Sequence, residues 1–462
     1  MRKDARICII GAGPAGLSAA FYLQIKGYEN FTVLEKEDRV GGKCFSPSYA
    51  DQHYEMGAIW GDPSYHTIRE LEKYAGISHS VQKLKKNYKD LTGKVIDPFS
   101  FRGNPLHPLH LLKLKKQMKK FTGLLESKYQ GYELNGHRRI AEGRYEGFRA
   151  DEKKKKISGV NGNLKDLSLF FRDFCRINGV ELVQEFLSAS FTGLARGYLD
   201  EIPAAYVLKS LNLENCLNPR GAELWAWKNG TQSIWEALNE KLLHPARLGS
   251  YISHVGRQNG KVYVTVNNQT EEYDAIILTT PFSVPGESRE DALPGMTDYF
   301  DAREDEKFLF SKIDYTRCDL LSFTTESRNY PGFSYFIWEN LKPERLGHMT
   351  FCYRRFKGVP EQVLTAYSIR KHKNSSEISH EEAKETLLAD LKAQGNPVSE
   401  IVGELSPYCF PHILSKDYAC GWYDKVESLQ GKYSTYYAGE IMSCGNMNAV
   451  AEYSRQLIER FF

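Results

Sequence analysis

An α/β fold is what this sequence predicts, with a parallel sheet begun by the N-terminal segment, a mixed sheet further along and a helical region between them. Three observations predict it. An apolar run, Ile7–Ile10, leads straight into a glycine cluster, Gly11-Ala12-Gly13-Pro14-Ala15-Gly16. A second apolar run, Phe31–Leu34, ends in an acidic residue, Glu35. Later segments alternate between strand-like apolar runs and stretches whose apolar residues recur at helical spacing.

The first elements read in order. Ile7–Ile10 is uniformly apolar, as a strand buried in a parallel sheet must be. The cluster after it fits G-x-G-x-x-G and makes the opening Rossmann-like. Gly11 serves the tight turn, Gly13 lets backbone N–H groups approach a pyrophosphate, and Gly16 lets a helix over about 15–26 pack on the strand. The helix N-terminus, at Pro14 and Ala15, faces the phosphates, and its dipole favours their charge. Glu35, with Lys36 behind it, lies about 20 residues beyond the glycines. A carboxylate there binds both ribose hydroxyls of an adenosine and repels a ribose phosphate, so NADP is not expected. Arg39-Val40-Gly41-Gly42-Lys43 adds a second glycine turn and a second contact to the pyrophosphate. In Tyr54–Trp60, Gly57, Ala58 and Ile59 form a small-residue turn where a flat ring can lie against backbone.

Further along, "KLKKQMKK" (Lys113–Lys120) lies on an expected helix with Leu109, Leu112 and Phe121. This run and Lys153–Lys156 are expected to be solvated faces, with weak membrane-surface contact as the minority view. Leu164, Leu167, Phe171 and Phe174 recur at helical spacing between Asn163 as a cap and Gly179 as a stop. Pro203 opens a helix, Ala204–Leu213, and Trp227–Trp235 opens another through about Leu243. Tyr251–Val255 and Val262–Val266 read as strands, and Tyr273–Pro281 ("YDAIILTTP") as one more, buried. Residues 287–403 alternate strand-like runs, such as Gly332–Trp338 and Met349–Tyr353, with a helix near 380–394. The chain closes as strand, Gly439-Glu440 turn and helix.

Composition narrows the class. A chain of 462 residues holds two or three domains with ample core. A net charge of +3 argues against a nucleic-acid binder that relies on bulk charge. Nine scattered cysteines without a C-x-x-C predict reduced thiols in a cytoplasmic protein and no metal site. The apolar N-terminus is better explained by its glycine pattern than as a signal peptide, and no run of about 20 apolar residues suggests a membrane span.

The glycine loop, Glu35, the double glycine and the Gly57 turn together resemble the FAD-binding domain of the flavin amine oxidase superfamily. A nearer resemblance is carried by "GGKCFSPSY", "YEMGAIWGDPSYHTI", "KYQGYELNGH", "IPAAYVLKSL", "ELWAWKNGTQS", "PERLGHM" and "CGWYDKVESLQGKYSTYYAGEIMSCGN". These look like the bacterial FAD-dependent polyenoic fatty acid isomerases, from Ile7 to the C-terminus. The resemblance implies a discontinuous FAD-binding domain over 1–78, 222–286 and 404–462, a helical lid or substrate-access region over 79–221, and a mixed-sheet substrate domain over 287–403. It implies non-covalent FAD held by Gly11, Gly13, Pro14, Ala15, Gly16, Glu35, Lys36, Gly42, Lys43, Gly57, Ala58, Ile59, Val255, Gly439, Glu440, Asn446 and Met447. Lys43 stands where the superfamily usually has arginine.

The implied substrate is a polyunsaturated fatty acid such as linoleic acid. Hydride leaves the CH₂ between two cis double bonds for flavin N5 and returns at an end of the five-carbon unit, giving conjugated bonds without net oxidation. No side-chain acid or base is required, and none stands out. Lys86 takes the place of an arginine that anchors the carboxylate in the family, as a point charge without a bidentate fork. Phe171, Phe174 and Phe191 are candidates to line an apolar tunnel and face a carbocation. Three other readings stay open: an amine oxidase, a net-oxidising polyene desaturase, and a flavin-free lipid carrier, the last opposed by the intact glycine loop and Glu35. Cys409, Cys420 and Cys444 are not expected to bind flavin covalently, and the oligomeric state is left open.

Overall fold

In the computed structural model, residues 1–84, 86–97, 107–129, 132, 134, 139–140, 144–145, 164–211, 222–282, 299–327, 334–355 and 363–462 are described. Lys85, the Lys153–Lys156 run, the Asn163 cap, Asn212, Leu213, Cys216 and Gly332 lie outside the described residues.

A four-stranded parallel sheet runs in the order Phe31–Leu34, Ile7–Ile10, Ala275–Leu278, Thr435–Tyr437. Ile7 stands level with both Phe31 and Ala275, and Ile276 with Thr435. The apolar runs "ICII" and "AIIL" are buried at every position, as the middle of such a sheet requires. The helix Pro14–Ile25 packs on this sheet and along the helix Met447–Phe461. A three-stranded meander, Ile252–Gln258, Lys261–Val266 and Gln269–Tyr273, packs on it through the buried alternate residues Val262, Val264 and Val266. The expected strand Tyr273–Pro281 is therefore two. Tyr273 closes the meander, and the buried parallel strand is only Ala275–Leu278.

The second sheet has eight strands and mixed direction. It draws on Tyr88–Lys89 and Val95–Ile96, on Ile313–Thr324, Ser334–Ile337, Met349–Arg354 and Leu364–Ile369, and on Glu400–Leu405 and Tyr408–Ile413. Its two faces differ. Leu321, Phe323 and Cys352 pack against Leu387 and Leu391 of the helix His380–Ala393. That helix starts at a capping box in which Ser379 and Glu382 exchange hydrogen bonds. Leu320, Phe351, Tyr353 and Tyr367 pack on the opposite side with Tyr54 and Met56. Alternation along each strand sends neighbours to opposite faces.

The stretch read as helical also contributes strands. Beyond those in the large sheet, His79–Leu84 pairs antiparallel with Ala222–Trp227, so Trp227 ends a strand and the helix after it is Gln232–Glu240. The helix expected through Leu164 and Phe174 is broken into Leu164–Leu167 and Phe171–Ile177. Backbone at 169–171 is diverted to another segment: Phe171 N donates to Ile202 O at 3.0 Å and Ala204 N to Leu169 O at 2.7 Å. On the lysine-rich helix His107–Glu126, Phe121 is buried, but Leu109 and Leu112 are 62% and 63% exposed.

Candidate active site

Glycines separate what the fold needs from what a ligand needs. A Cβ on Gly16 would stand 1.9 Å from the Gly11 carbonyl oxygen, and one on Gly11 (φ +100°) would stand 2.7 Å from Thr279 Oγ1. Packing alone excludes a side chain at both. A Cβ on Gly13 would meet nothing of the protein nearer than Gly42 Cα at 3.7 Å, an ordinary contact, and its φ of −78° suits any residue. Packing of the protein itself therefore does not require a bare backbone at Gly13. Gly13 is also the N-cap of Pro14–Ile25, a helix whose first turn has neither a side-chain cap nor an acid. Pro14 and Ala15 thus open a helix end suited to an anion.

Beside this cradle the Glu35 carboxylate is held by two backbone donors, Ala12 N at 2.7 Å and Glu37 N at 3.1 Å. Each oxygen keeps further acceptor capacity for a hydroxyl. Lys36 is exposed and pairs with Glu37 at 3.2 Å. Val255 is fully buried, level with Val264, and its carbonyl accepts from Asp301 N at 2.9 Å.

The chain then folds back so that the Gly57 turn meets Lys43. Ala58 N donates to Lys43 O at 3.0 Å, and a Cβ on Gly57 would stand 2.0 Å from that same oxygen. Ile59 follows, packed toward the aromatic face of the large sheet. Lys43 Nζ pairs with Glu440 Oε2 at 2.6 Å and donates to Tyr408 O at 2.8 Å. The surrounding protein works against the ammonium charge, but Glu440 outweighs it and the Lys43 pKa is raised. Gly439 (φ +109°) makes the turn before Glu440, and Asn446 caps the last helix by accepting from Ala449 N at 2.8 Å, with Met447 as its first residue.

Three features were not foreseen. Glu55, 1% exposed, accepts from Ser46 Oγ at 2.5 Å, Thr231 N at 3.0 Å and Thr231 Oγ1 at 3.1 Å, with Arg355 Nε at 3.9 Å. Burial pushes its carboxyl up to about 7 against the lowering pull of Arg355, Ser46 and Thr231. Its own carbonyl accepts from Tyr353 Oη at 3.0 Å. Glu55 thus joins the Gly57 turn, the start of the helix Gln232–Glu240 and the large sheet. The second feature is an aromatic wall. Trp60 stands edge-on to Phe351 and Tyr353 at 6.1 and 6.2 Å, and Phe336 lies 4.7 Å from Phe351. Period-2 alternation in Met349–Tyr353 was the available signal; which face meets the turn was not. The third is Phe410, held at φ +46° with its ring against Gly445, where a Cβ would stand 2.6 Å from Phe410 Cδ2. Such a backbone is costly for a bulky residue and persists where surrounding contacts impose it.

Of the residues expected on the substrate side, two are brought together. Lys86 Nζ donates to Ser190 Oγ at 3.2 Å, and the next residue, Phe191, meets the Phe410 ring at 5.3 Å. Phe171 is not with them. It is fully buried between Phe121 and Phe174, at 6.2 and 6.0 Å, in a helical core that explains it by packing. Cys444 is buried against Ser210 Oγ at 3.1 Å, and every cysteine among the described residues is free.

A family model described as flavin containing amine oxidoreductase matches residues 14–406. The chain belongs to that family. A flavin cofactor and the mixed α/β amine oxidase fold come with it. Among solved structures, the chain is 37% identical to the CLA-producing fatty acid isomerase from P. acnes, with a TM-score of 0.86 over 100% of both chains. A 74-residue stretch is 36% identical to the polyenoic fatty acid isomerase of Ptilota filicina, covering 16% of this chain and 15% of that one. A 103-residue stretch is 36% identical to protein anon-37Cs of Drosophila lebanonensis, covering 21% of this chain and 19% of the relative. The chain thus spans under a fifth of the length of these two curated relatives. Putrescine oxidase, at 14% identity, TM-score 0.68 and 98% of both chains, shares the fold.

Proposed function

We propose that this flavoenzyme is a double-bond isomerase of polyunsaturated fatty acids, using FAD held without a covalent bond. The observation that carries the reading is the full-length likeness to a fatty acid isomerase at 37% identity. When bound, the flavin supplies a hydride acceptor that can also give hydride back. The segments 1–78, 222–286 and 404–462 would enclose it. Glu35 would take the ribose hydroxyls, and the Gly13 backbone and helix end the pyrophosphate. Lys43, already paired with Glu440, would add its charge at the other side of the cleft.

The remaining residues bind and orient a chain and protect charge. Lys86 would hold the carboxylate as a point charge. Phe191 and Phe410, in ring contact, would fix the path of the acyl chain beyond it. Trp60, Phe351 and Tyr353 supply π faces that would attract positive charge developing on a pentadienyl unit, by about 2 kcal/mol where water is excluded. Tyr353 spends its hydroxyl on the Glu55 carbonyl, so its ring is oriented.

The family match is the observation that favours a second reading, net oxidation of an amine or a polyene. One anaerobic cuvette separates the two. With linoleic acid added, conjugated-diene absorbance rising over many turnovers while the flavin ends oxidised is the expected result. One equivalent of bleaching, with turnover only once an electron acceptor is admitted, would overturn isomerisation.

A further inference from the structure

The helix His107–Glu126 has an inner face that is accounted for and an outer face that is not. Inside, Phe121 meets the Phe171 ring at 6.2 Å, Gln117 Oε1 accepts from Leu182 N at 2.7 Å, and Met118, Leu124 and Leu125 pack on the core. Outside, Leu109 and Leu112 are 62% and 63% exposed, one turn apart. Lys113, Lys115, Lys116, Lys119 and Lys120 are exposed around and beyond them. At about 100° per residue, Leu109, Leu112, Lys113, Lys116 and Lys120 fall within about 100° of arc. No acidic residue occurs from His107 through Leu125.

We propose that this face docks on a negatively charged lipid surface, with Leu109 and Leu112 entering the acyl boundary and the lysines meeting the headgroups. The charge is complementary to such a surface. Lysine suits this better than a protein partner, because protein interfaces are depleted in lysine while lysine stems lie readily along a membrane boundary. The position is apt as well. The helix packs against Glu181–Phe191, which carries Ser190, the partner of Lys86, and Phe191 at its far end. The docking helix thus adjoins the helix that carries the candidate carboxylate anchor's contact. That use of the position rests on the fatty-acid reading; the docking itself does not.

Co-sedimentation of the holoenzyme with vesicles tests it without turnover. Phosphatidylcholine vesicles are compared with vesicles in which about a third of the lipid is phosphatidylglycerol, at low and high salt. The wild type should pellet with the anionic vesicles only, and less at high salt. Lys113→Gln/Lys116→Gln/Lys120→Gln should weaken partition about a hundredfold. Leu109→Ser/Leu112→Ser should weaken it about tenfold or more. All these side chains are exposed, so flavin content and melting temperature should match the wild type in both variants. Equal pelleting with neutral and anionic vesicles, no pelleting at all, or wild-type partition in both variants would overturn the proposal. A failure of linoleate isomerisation would count against the proposed reaction and leave this docking untouched.

Discussion

Glu55→Gln offers the sharpest test of how the cleft is held. Both Glu55 oxygens are engaged, one with Thr231 N and the other with Ser46 Oγ. A protonated Glu55 can satisfy the same pattern, with its O–H donating to Ser46 Oγ and its carbonyl oxygen accepting from Thr231 N. Glutamine reproduces that neutral arrangement, its amide NH₂ facing Ser46. The carboxyl rises from the usual 4.5 to about 7 in the fold. An acid whose folded pKa is raised binds more protons folded than unfolded between those values, so stability falls as pH rises through that window. For this shift the loss from about pH 4.5 to about pH 8 is about 3 kcal/mol. Glu55→Gln should remove that slope while leaving the contributions of other groups in place. The assay is chemical unfolding of wild type and variant, read by flavin and tryptophan fluorescence at four pH values across the window. The expected result is a variant that gains on the wild type as pH rises, by up to about 3 kcal/mol. Parallel curves, or a variant that loses ground as pH rises, would refute the reasoning.

Gly13→Ala and Gly16→Ala should part company. Gly13→Ala should fold with an unchanged melting temperature, because the protein leaves room for its Cβ, but on the proposed pyrophosphate contact it should lose flavin affinity at least about tenfold in reconstitution of the apoprotein. Gly16→Ala should be destabilised by about 3 kcal/mol or more, since its Cβ would overlap the Gly11 carbonyl. Lys86→Ala should raise the KM for linoleate by about tenfold or more with kcat little changed; an unchanged KM would remove Lys86 from carboxylate binding. Phe351→Leu keeps apolar bulk but removes the π face, so turnover should fall about tenfold with flavin retained; full turnover would mean the wall acts by shape alone.

The parts of the site that were legible in the sequence are those made by local chemistry. The turn after Ile7–Ile10 needs glycine because neighbouring backbone fills the space, and Gly16 shows this at 1.9 Å. Glu35 was legible because it ends the strand beside that turn. The aromatic wall was only half legible. Alternation marked Met349–Tyr353 as a strand, but whether Phe351 or Cys352 met Trp60 depended on pairing with Leu364–Ile369 and on the helix that covers the other face. The broken helix at Leu169–Phe171 was misread because its helical spacing is genuine, and only hydrogen bonds to 202–204 interrupt it. Leu109 and Leu112 were grouped with Phe121 on the same ground, and the structure turns them to the outside.

By itself, then, the sequence determined the glycine turn and the carboxylate at the neighbouring strand end, because glycine sterics and a strand-end acid act over a few residues. Only the tertiary structure decided that Glu55 ties Ser46 to Thr231, that Lys43 pairs with Glu440, and that Phe191 meets Phe410. Those contacts join residues far apart in the chain, and no local preference encodes which distant side chain will close a buried polar group or cover a ring.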